Sequence, residues 1–404
     1  MRVLIADKLP AVAVTALEEA GCEAVLRPAL KDDTLLAELS NSSWQALIVR
    51  STKVTEAMLR ASSLGLVVRA GAGVNTIDVA AASDCGIFVA NCPGRNSLAV
   101  AELAIGLLIA LDRRIPDAVA DLRAGRWEKA EYSKARGLAG RTLLVVGCGR
   151  IGLAVARRAL ALDMKVLAWN VVPDPRAELE AMGARLVDDV HEALAQADAV
   201  SLHLAAVPAT QGFADRRFFE TLPEGAYFIN TSRAEVVDQE ALTWAINERG
   251  VRAGLDVFQG EVSGGSGPID EPLLNSPGVW ATPHIGASTQ QAQDSVAAEA
   301  VRLVLEYRSS GRVDSVNEAA QENPGHLLVV RHRNEVGVLA HVFTALKDVG
   351  INVAETENIV FKGEATCLAR LAVSRVPTRD VLDAILEGCE AVLSLDTLSG
   401  GASL

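Results

Sequence analysis

Short apolar runs alternate with stretches whose apolar positions recur at helical spacing, and this alternation continues through most of the chain. Val3-Leu-Ile-Ala6, Ala46-Leu-Ile-Val49 and Leu66-Val-Val68 read as strands, with a helical pattern over Ala11–Ala20. Strands separated by helical patterns imply a parallel sheet. From Ser97 a helical stretch runs through Glu102 to Leu111 and bridges into a second unit. That unit opens with Thr142-Leu-Leu-Val-Val146, a glycine loop, a helix over Leu153–Leu162 and the strand Lys165-Val-Leu-Ala-Trp169. Further strands are predicted at Ala199-Val-Ser-Leu-His203, Ala226-Tyr-Phe-Ile-Asn230, Ala253-Gly-Leu-Asp-Val-Phe258 and Val279-Trp-Ala-Thr-Pro283. A helix is predicted over Gln290–Tyr307, then a polar stretch from Ser309 to Asn323-Pro-Gly325 with the composition of a linker.

The tail repeats neither pattern. Strand Leu327–Val330, helix Val338–Val349, a strand near Ile351–Val353, strand Cys367–Val373, helix Arg379–Leu386 and strand Val392–Leu395 follow in order. That is β-α-β-β-α-β, the ferredoxin-like arrangement. The fold expected is α/β, with two doubly wound parallel-sheet units followed by this smaller one.

Composition narrows the classes. With 404 residues, half of them apolar and 22% charged, the chain has material for two or three domains with large cores. A formal charge of −13 argues against nucleic-acid or acidic-membrane partners. It leaves anionic metabolites open, because a local arginine cluster overrides the mean field. The six cysteines form no C-x-x-C pair and no metal-ligand spacing, so no metal is expected and they read as small buried hydrophobes of a reducing cytosol. The start, Met1-Arg-Val-Leu-Ile-Ala-Asp7, lacks the apolar core of a signal peptide. Leu98–Leu111 contains Glu102 and falls short of the roughly 20 residues a membrane span needs. A soluble cytoplasmic protein is expected.

Gly147-Cys148-Gly149-Arg150-Ile151-Gly152 follows a predicted strand and opens a predicted helix. In that context glycines permit a tight turn, close backbone approach to a pyrophosphate and tight helix–strand packing, with Arg150 and Ile151 at the helix start. The helix N-terminus adds donors and partial positive charge. A dinucleotide is therefore the expected cofactor. An acidic residue is usual at the end of the second strand, where this chain has Asn170. Asn170 can bond a ribose hydroxyl but lacks the charge that repels a 2′-phosphate. No arginine follows immediately, which favours NAD and leaves NADP open.

Three residues lie just beyond successive predicted strands: Arg233, Glu261 and His284. Arg233 offers a planar fork for a carboxylate and can polarise a developing carbonyl. His284 can exchange a proton near neutral pH, and a neighbouring carboxylate would orient its ring and raise its pKa. Together they equip a site for a hydroxy or keto acid. His203, ending another strand, is a rival base and otherwise lines the cofactor. Asp256 is a candidate for the nicotinamide carboxamide or a buried structural acid.

Val49-Arg-Ser-Thr-Lys-Val-Thr55, Arg69-Ala-Gly-Ala-Gly-Val74, Asn96-Ser-Leu-Ala-Val-Ala-Glu102, the glycine loop, Asn230-Thr-Ser-Arg-Ala-Glu-Val-Val-Asp238 and Thr282-Pro-His-Ile-Gly-Ala-Ser-Thr289 appear in the order of a known family. Through them the chain resembles the D-isomer-specific 2-hydroxyacid dehydrogenases, and among these the branch that oxidises D-3-phosphoglycerate with NAD at the head of serine biosynthesis. The resemblance implies a catalytic trio of Arg233, Glu261 and His284. It implies a discontinuous flavodoxin-like substrate domain (1–97 and 286–318) around a Rossmann-like cofactor domain (98–285). Substrate contacts would come from Ala72, Gly73 and Val74, with Arg50, Arg69 and Asn96 for anionic groups and Lys53 or Lys134 near a phosphate. Glu271 is a second carboxylate between Asp256 and His284, but Glu261 keeps the family's spacing from Asp256.

The tail, residues 326–404, resembles an ACT domain, a self-pairing sensor of small molecules. His332, Asn334 and Asn352 match positions that bind L-serine in feedback-inhibited members, and the alternative is ordinary capping of strand and helix ends. A homodimer or homotetramer is expected, with the apolar helix Leu98–Leu111 at an interface. The rival functions are an NADPH-dependent glyoxylate or hydroxypyruvate reductase and a nucleotide-sensing binding protein without turnover.

Overall fold

The computed structural model describes residues 1–170, 175–262, 266–318 and 326–399. It divides into two compact units, Met1–Glu318 and the tail.

The first unit holds two parallel sheets. Strands β1 (Arg2–Ile5), β2 (Glu23–Leu26), β3 (Ala46–Val49), β4 (Leu66–Arg69) and β5 (Phe88–Asn91) form one in the order β2-β1-β3-β4-β5. The second sheet comprises β6 (Thr142–Val146), β7 (Lys165–Trp169), β8 (Arg185–Leu186), β9 (Ala199–Leu202), β10 (Tyr227–Asn230), β11 (Arg252–Leu255) and β12 (Val279–Ala281). Its order, β8-β7-β6-β9-β10-β11-β12, reverses direction between β6 and β9, which makes a crevice at their carboxyl ends. Both sheets are the doubly wound kind predicted. The pattern missed β2, β5 and β8: Glu23 is exposed and β8 is only two residues long, so neither gives a continuous apolar signal.

The helix Ser97–Arg113 joins the two lobes. Its apolar residues serve the chain's own core, since Ala101, Ala104, Leu107, Leu108 and Leu111 are buried with β6 and β10. Leu107 packs where a side chain at Gly254 of β11 would have to go. Leu98, at the start of the same helix, stays exposed. The helix Gln290–Ser310 returns to the first sheet, burying Ala297, Ala300, Val301 and Val304 beside Val3 and Val68. The polar stretch after it is not a free linker at first: Val316 donates to the Val89 carbonyl, and the Asn317 side chain bonds Val89 and Ile87. Asn323-Pro-Gly325 lies outside the described residues.

The tail has β13 (His326–Arg333), β14 (Val353–Val360), β15 (Thr366–Val373) and β16 (Val392–Ser399) in the antiparallel order β14-β15-β13-β16, with helices Val338–Asp348 and Arg379–Glu387. This is the ferredoxin-like topology expected. β14 is longer than predicted because it is almost wholly exposed, which erases the apolar alternation that marks a strand. Among the described residues no helix is long and apolar enough to cross a membrane.

Candidate active site

The carboxyl ends of β10, β11 and β12 deliver the predicted trio, and each is fixed by a local device. At the end of β10, Asn230 Oδ1 accepts from the Ser232 amide and hydroxyl, at 2.9 and 2.7 Å. Its Nδ2 donates to the Arg233 carbonyl at 2.9 Å, which closes the turn. The Arg233 guanidinium lies against Gly73, where an added Cβ would come within 3.4 Å of Nη2. The loop containing Ala72, Gly73 and Val74, from the first sheet, therefore meets Arg233 directly.

Glu261 and His284 are paired. His284 Nδ1 lies 2.8 Å from Glu261 Oε2, and Glu261 Oε1 accepts from the Phe258 amide at 3.2 Å. Glu271, the sequence alternative, instead accepts from the Leu273 amide and caps a short helical turn. The hydrogen bond to Glu261 raises the His284 pKa above its ordinary value, opposed by burial and by the charge of Arg233. Burial alone would raise Glu261, but the bonds from His284 and the Phe258 amide outweigh it and hold the carboxyl low. With Nδ1 committed to Glu261, Nε2 is the nitrogen left for a substrate.

Asp256 is buried and faces the loop that carries His284. Its carboxylate accepts from Thr282 Oγ1 at 2.5 Å and from the Ile285 and Gly286 amides at 2.8 Å. This supports the structural side of the expectation for Asp256.

His284 opens onto a cleft of about 190 Å³ lined by Lys8, Arg50, Ser51, Arg69, Gly71, Asn96, Ser288 and Gln293 among others, none of them acidic. Burial, then the neighbouring Arg233 and Arg50, push the Arg69 pKa below its ordinary value, which places three guanidiniums within electrostatic reach. Among the described residues Arg69 Nε and Asn96 Oδ1 are buried without a hydrogen-bond partner. Buried polar atoms left this way suit a ligand.

Two contributors escaped the sequence reading. Asp7 follows β1 and accepts from the Arg50, Ser51 and Thr52 amides at 2.7, 3.0 and 2.9 Å, fixing the loop that presents Arg50. Lys8 next to it lines the cleft, whereas Lys134 pairs with Glu131 at 2.5 Å and, like Lys53, lies outside the cleft lining. Position just beyond a strand was the available signal, the same one that exposed the trio.

The glycine loop fits a dinucleotide. Gly147 has φ +93°, and a Cβ there would meet the His203 carbonyl at 2.7 Å. At Gly152 a Cβ would fall 2.0 Å from the Gly147 carbonyl, so helix and strand touch without space for a methyl. At Gly149 nothing lies within 4 Å of the missing Cβ, which leaves an open approach to the helix Arg150–Ala161. Asn170 Oδ1 accepts from the Cys148 amide at 2.9 Å and so steadies the loop from the end of β7. His203 Nε2 lies 2.8 Å from Ser201 Oγ, and burial pushes the ring down to about 3. A histidine that stays neutral so far below pH 7 is a poor rival to His284 as proton acceptor.

In the tail each predicted effector residue has an internal partner. The buried His332 ring bonds the Arg333 carbonyl at 2.7 Å and Asn358 Oδ1 at 3.2 Å. Asn334 Nδ2 donates to the Glu364 carbonyl, and the Asn352 backbone bonds Ser374 while its side chain is exposed. These are the bonds of residues that cap strands and turns.

Comparison with known proteins gives a consistent answer. Residues 105–286 match the family model described as the NAD binding domain of D-isomer specific 2-hydroxyacid dehydrogenase. D-3-phosphoglycerate dehydrogenase of Methanocaldococcus jannaschii is 34% identical over 96% of this chain and 72% of its own length. That of Archaeoglobus fulgidus is 37% identical over 73% of this chain, which spans only 55% of it. The NAD+-bound 3-phosphoglycerate dehydrogenase of Entamoeba histolytica has a similar fold, with a TM-score of 0.64 at 26% identity over 79% of this chain and 99% of its own. The chain belongs to the D-isomer specific 2-hydroxyacid dehydrogenases and is an NAD-dependent oxidoreductase of that family.

Proposed function

We propose that this chain oxidises D-3-phosphoglycerate to 3-phosphohydroxypyruvate, opening serine biosynthesis in the cytoplasm, and that L-serine restrains it through the tail. The observation that carries the substrate is the cleft: Lys8, Arg50 and Arg69 line it, Arg233 stands close by, and no acidic side chain lines it. Such a site favours a small acid with two anionic groups over a singly charged one. The relatives named D-3-phosphoglycerate dehydrogenase support the same substrate.

NAD, bound at the glycine loop, supplies the hydride acceptor. Arg233 grips the substrate carboxylate and the oxygen on C2, while the Ala72–Val74 backbone and Asn96 close around it. His284 Nε2 takes the hydroxyl proton as hydride leaves C2 and the C2 carbonyl forms. Glu261 steadies the imidazolium that results, and Asp256 keeps the ring's loop in place. In the reverse direction protonated His284 returns the proton.

The domain limits follow the same reading: 1–97 with 286–318 for substrate, 98–285 for cofactor and 326–404 for regulation. A homodimer or homotetramer belongs to it as well. NADH absorbance after adding 3-phosphoglycerate and NAD at alkaline pH, with and without serine, tests the whole. Turnover suppressed by serine supports both substrate and effector. Turnover indifferent to serine removes the effector. Activity confined to glyoxylate or hydroxypyruvate with NADPH, which the uncharged Asn170 would tolerate, overturns the substrate.

A further inference from the structure

Arg150 begins the helix of the glycine loop, yet its side chain crosses to the other lobe. Nη1 donates to the Pro93 carbonyl at 2.6 Å. The guanidinium lies over Gly94, where an added Cβ would come within 2.3 Å of Nη1 and 2.5 Å of Cδ. Gly94 is also left-handed, at φ +79°. The turn is therefore shaped to receive this arginine, both in backbone conformation and in the space a side chain would fill.

The same turn is held from its other side. Arg95 Nη2 bonds Glu299 Oε2 at 2.6 Å, on the helix Gln290–Ser310 that packs against the first sheet. One residue further, Asn96 caps the helix Ser97–Arg113 by position alone, with no side-chain bond to it, and lines the acid cleft with Oδ1 unpartnered. A short path of contacts thus runs from the cofactor loop through Arg150, Pro93 and Gly94 to a side chain lining the cleft.

We propose that Arg150 is a positioning residue that couples cofactor binding to acid binding by holding the Pro93–Asn96 turn. This rests on the reading of the cleft as the acid site. A pyrophosphate at the helix N-terminus draws on the donors of the loop where Arg150 starts, so an anion there shifts the balance between guanidinium and Pro93 carbonyl. Asn96 moves with that turn. Affinity for the acid then depends on whether the loop is occupied, and by linkage the reverse holds by the same factor.

The test measures oxalate binding to the full chain with and without saturating NADH, by NADH fluorescence and calorimetry. In the wild type NADH is expected to tighten oxalate by a factor within the usual range of about 5–150. Arg150→Ala should bring that factor to about 1 even at NADH concentrations that compensate for weaker cofactor binding, and Arg150→Lys should restore part of it. Gly94→Ala, which leaves Arg150 intact but occupies its seat, should lower the factor in the same way. A factor unchanged in both Arg150→Ala and Gly94→Ala overturns the proposal, as does a wild type that turns over but binds oxalate equally with and without NADH. Absence of any hydroxy-acid turnover in the wild type is a different failure, that of the proposed function.

Discussion

Asp256 Oδ2 accepts from the Gly286 amide at 2.8 Å, a bond between the end of β11 and a residue thirty positions later. A Cβ at Gly286 would come within 2.9 Å of the same oxygen, so the contact requires glycine. His284, two residues before, has φ +52°, a left-handed conformation that costs a side-chain-bearing residue about 1–3 kcal/mol. The buried carboxylate offsets that strain by bonding both flanking donors, Thr282 and Ile285.

Replacing Asp256 with Asn should therefore damage catalysis through His284 while leaving the fold. One carboxylate oxygen becomes an NH2 group facing an amide donor, and a buried donor left unpaired costs about 1–3 kcal/mol. Turnover should fall about tenfold to a hundredfold with NADH binding retained, measured by steady-state kinetics beside fluorescence titration. Full activity in this variant would disprove the anchoring role.

His284→Ala removes the proton acceptor. A positioned acid–base group contributes about 10²–10⁴-fold. A loss of that size in kcat, with cofactor affinity within a few-fold of wild type, is the expected result.

The Glu261–His284 pair sets the pH dependence. Oxidation needs neutral His284, so kcat/KM for the hydroxy acid should rise with pH through a value above the ordinary histidine range, the direction in which Glu261 moves it. The keto-acid reaction needs the imidazolium and should fall across the same window. Glu261→Gln removes the charge that raises the ring's pKa, so both profiles should move to lower pH. Profiles that stay in place would assign the titration to another group.

The cationic cleft makes the substrate's second charge measurable. Arg69→Ala should raise KM for 3-phosphoglycerate far more than for an unphosphorylated 2-hydroxy acid such as glycerate, because only the former carries the second anionic group. Equal effects on both would limit Arg69 to the shared carboxylate.

Gly152→Ala tests the cofactor site. Its Cβ would lie 2.0 Å from the Gly147 carbonyl, which forces helix and strand apart. NADH fluorescence should show binding weakened at least tenfold in a protein whose circular dichroism is native-like.

Much of the site was legible because parallel sheets put function at strand ends. Arg233, Glu261 and His284 each follow a short apolar run, so strand prediction alone lined them up. Asp7 and Lys8 satisfy the same rule after β1 but stand alone in the sequence, without partners of complementary chemistry. Spacing from Asp256 favoured Glu261 over Glu271 only through the family resemblance, and what it could not supply is the contact itself, the 2.8 Å between Glu261 Oε2 and His284 Nδ1. The tail residues His332, Asn334 and Asn352 were legible as polar groups at element ends, and their bonds to Arg333, Asn358 and Glu364 and to Ser374 are what a capping role entails.

By itself the sequence determined the α/β class, the ferredoxin-like tail, the glycine loop and the placement of Arg233, Glu261 and His284 as candidates just beyond successive strands. These depend on local periodicity and on residue chemistry, which neighbours in the chain carry. Tertiary structure alone decided that Glu261 lies 2.8 Å from His284 Nδ1, that Asp256 holds the loop, and that Arg50, Arg69 and Arg233 come within electrostatic reach beside a cleft without acidic lining. It also decided that Arg150 reaches Pro93 in the other lobe. Each of these is a contact between segments far apart in the chain, and such contacts form only when sheets and helices pack, so no local pattern records them.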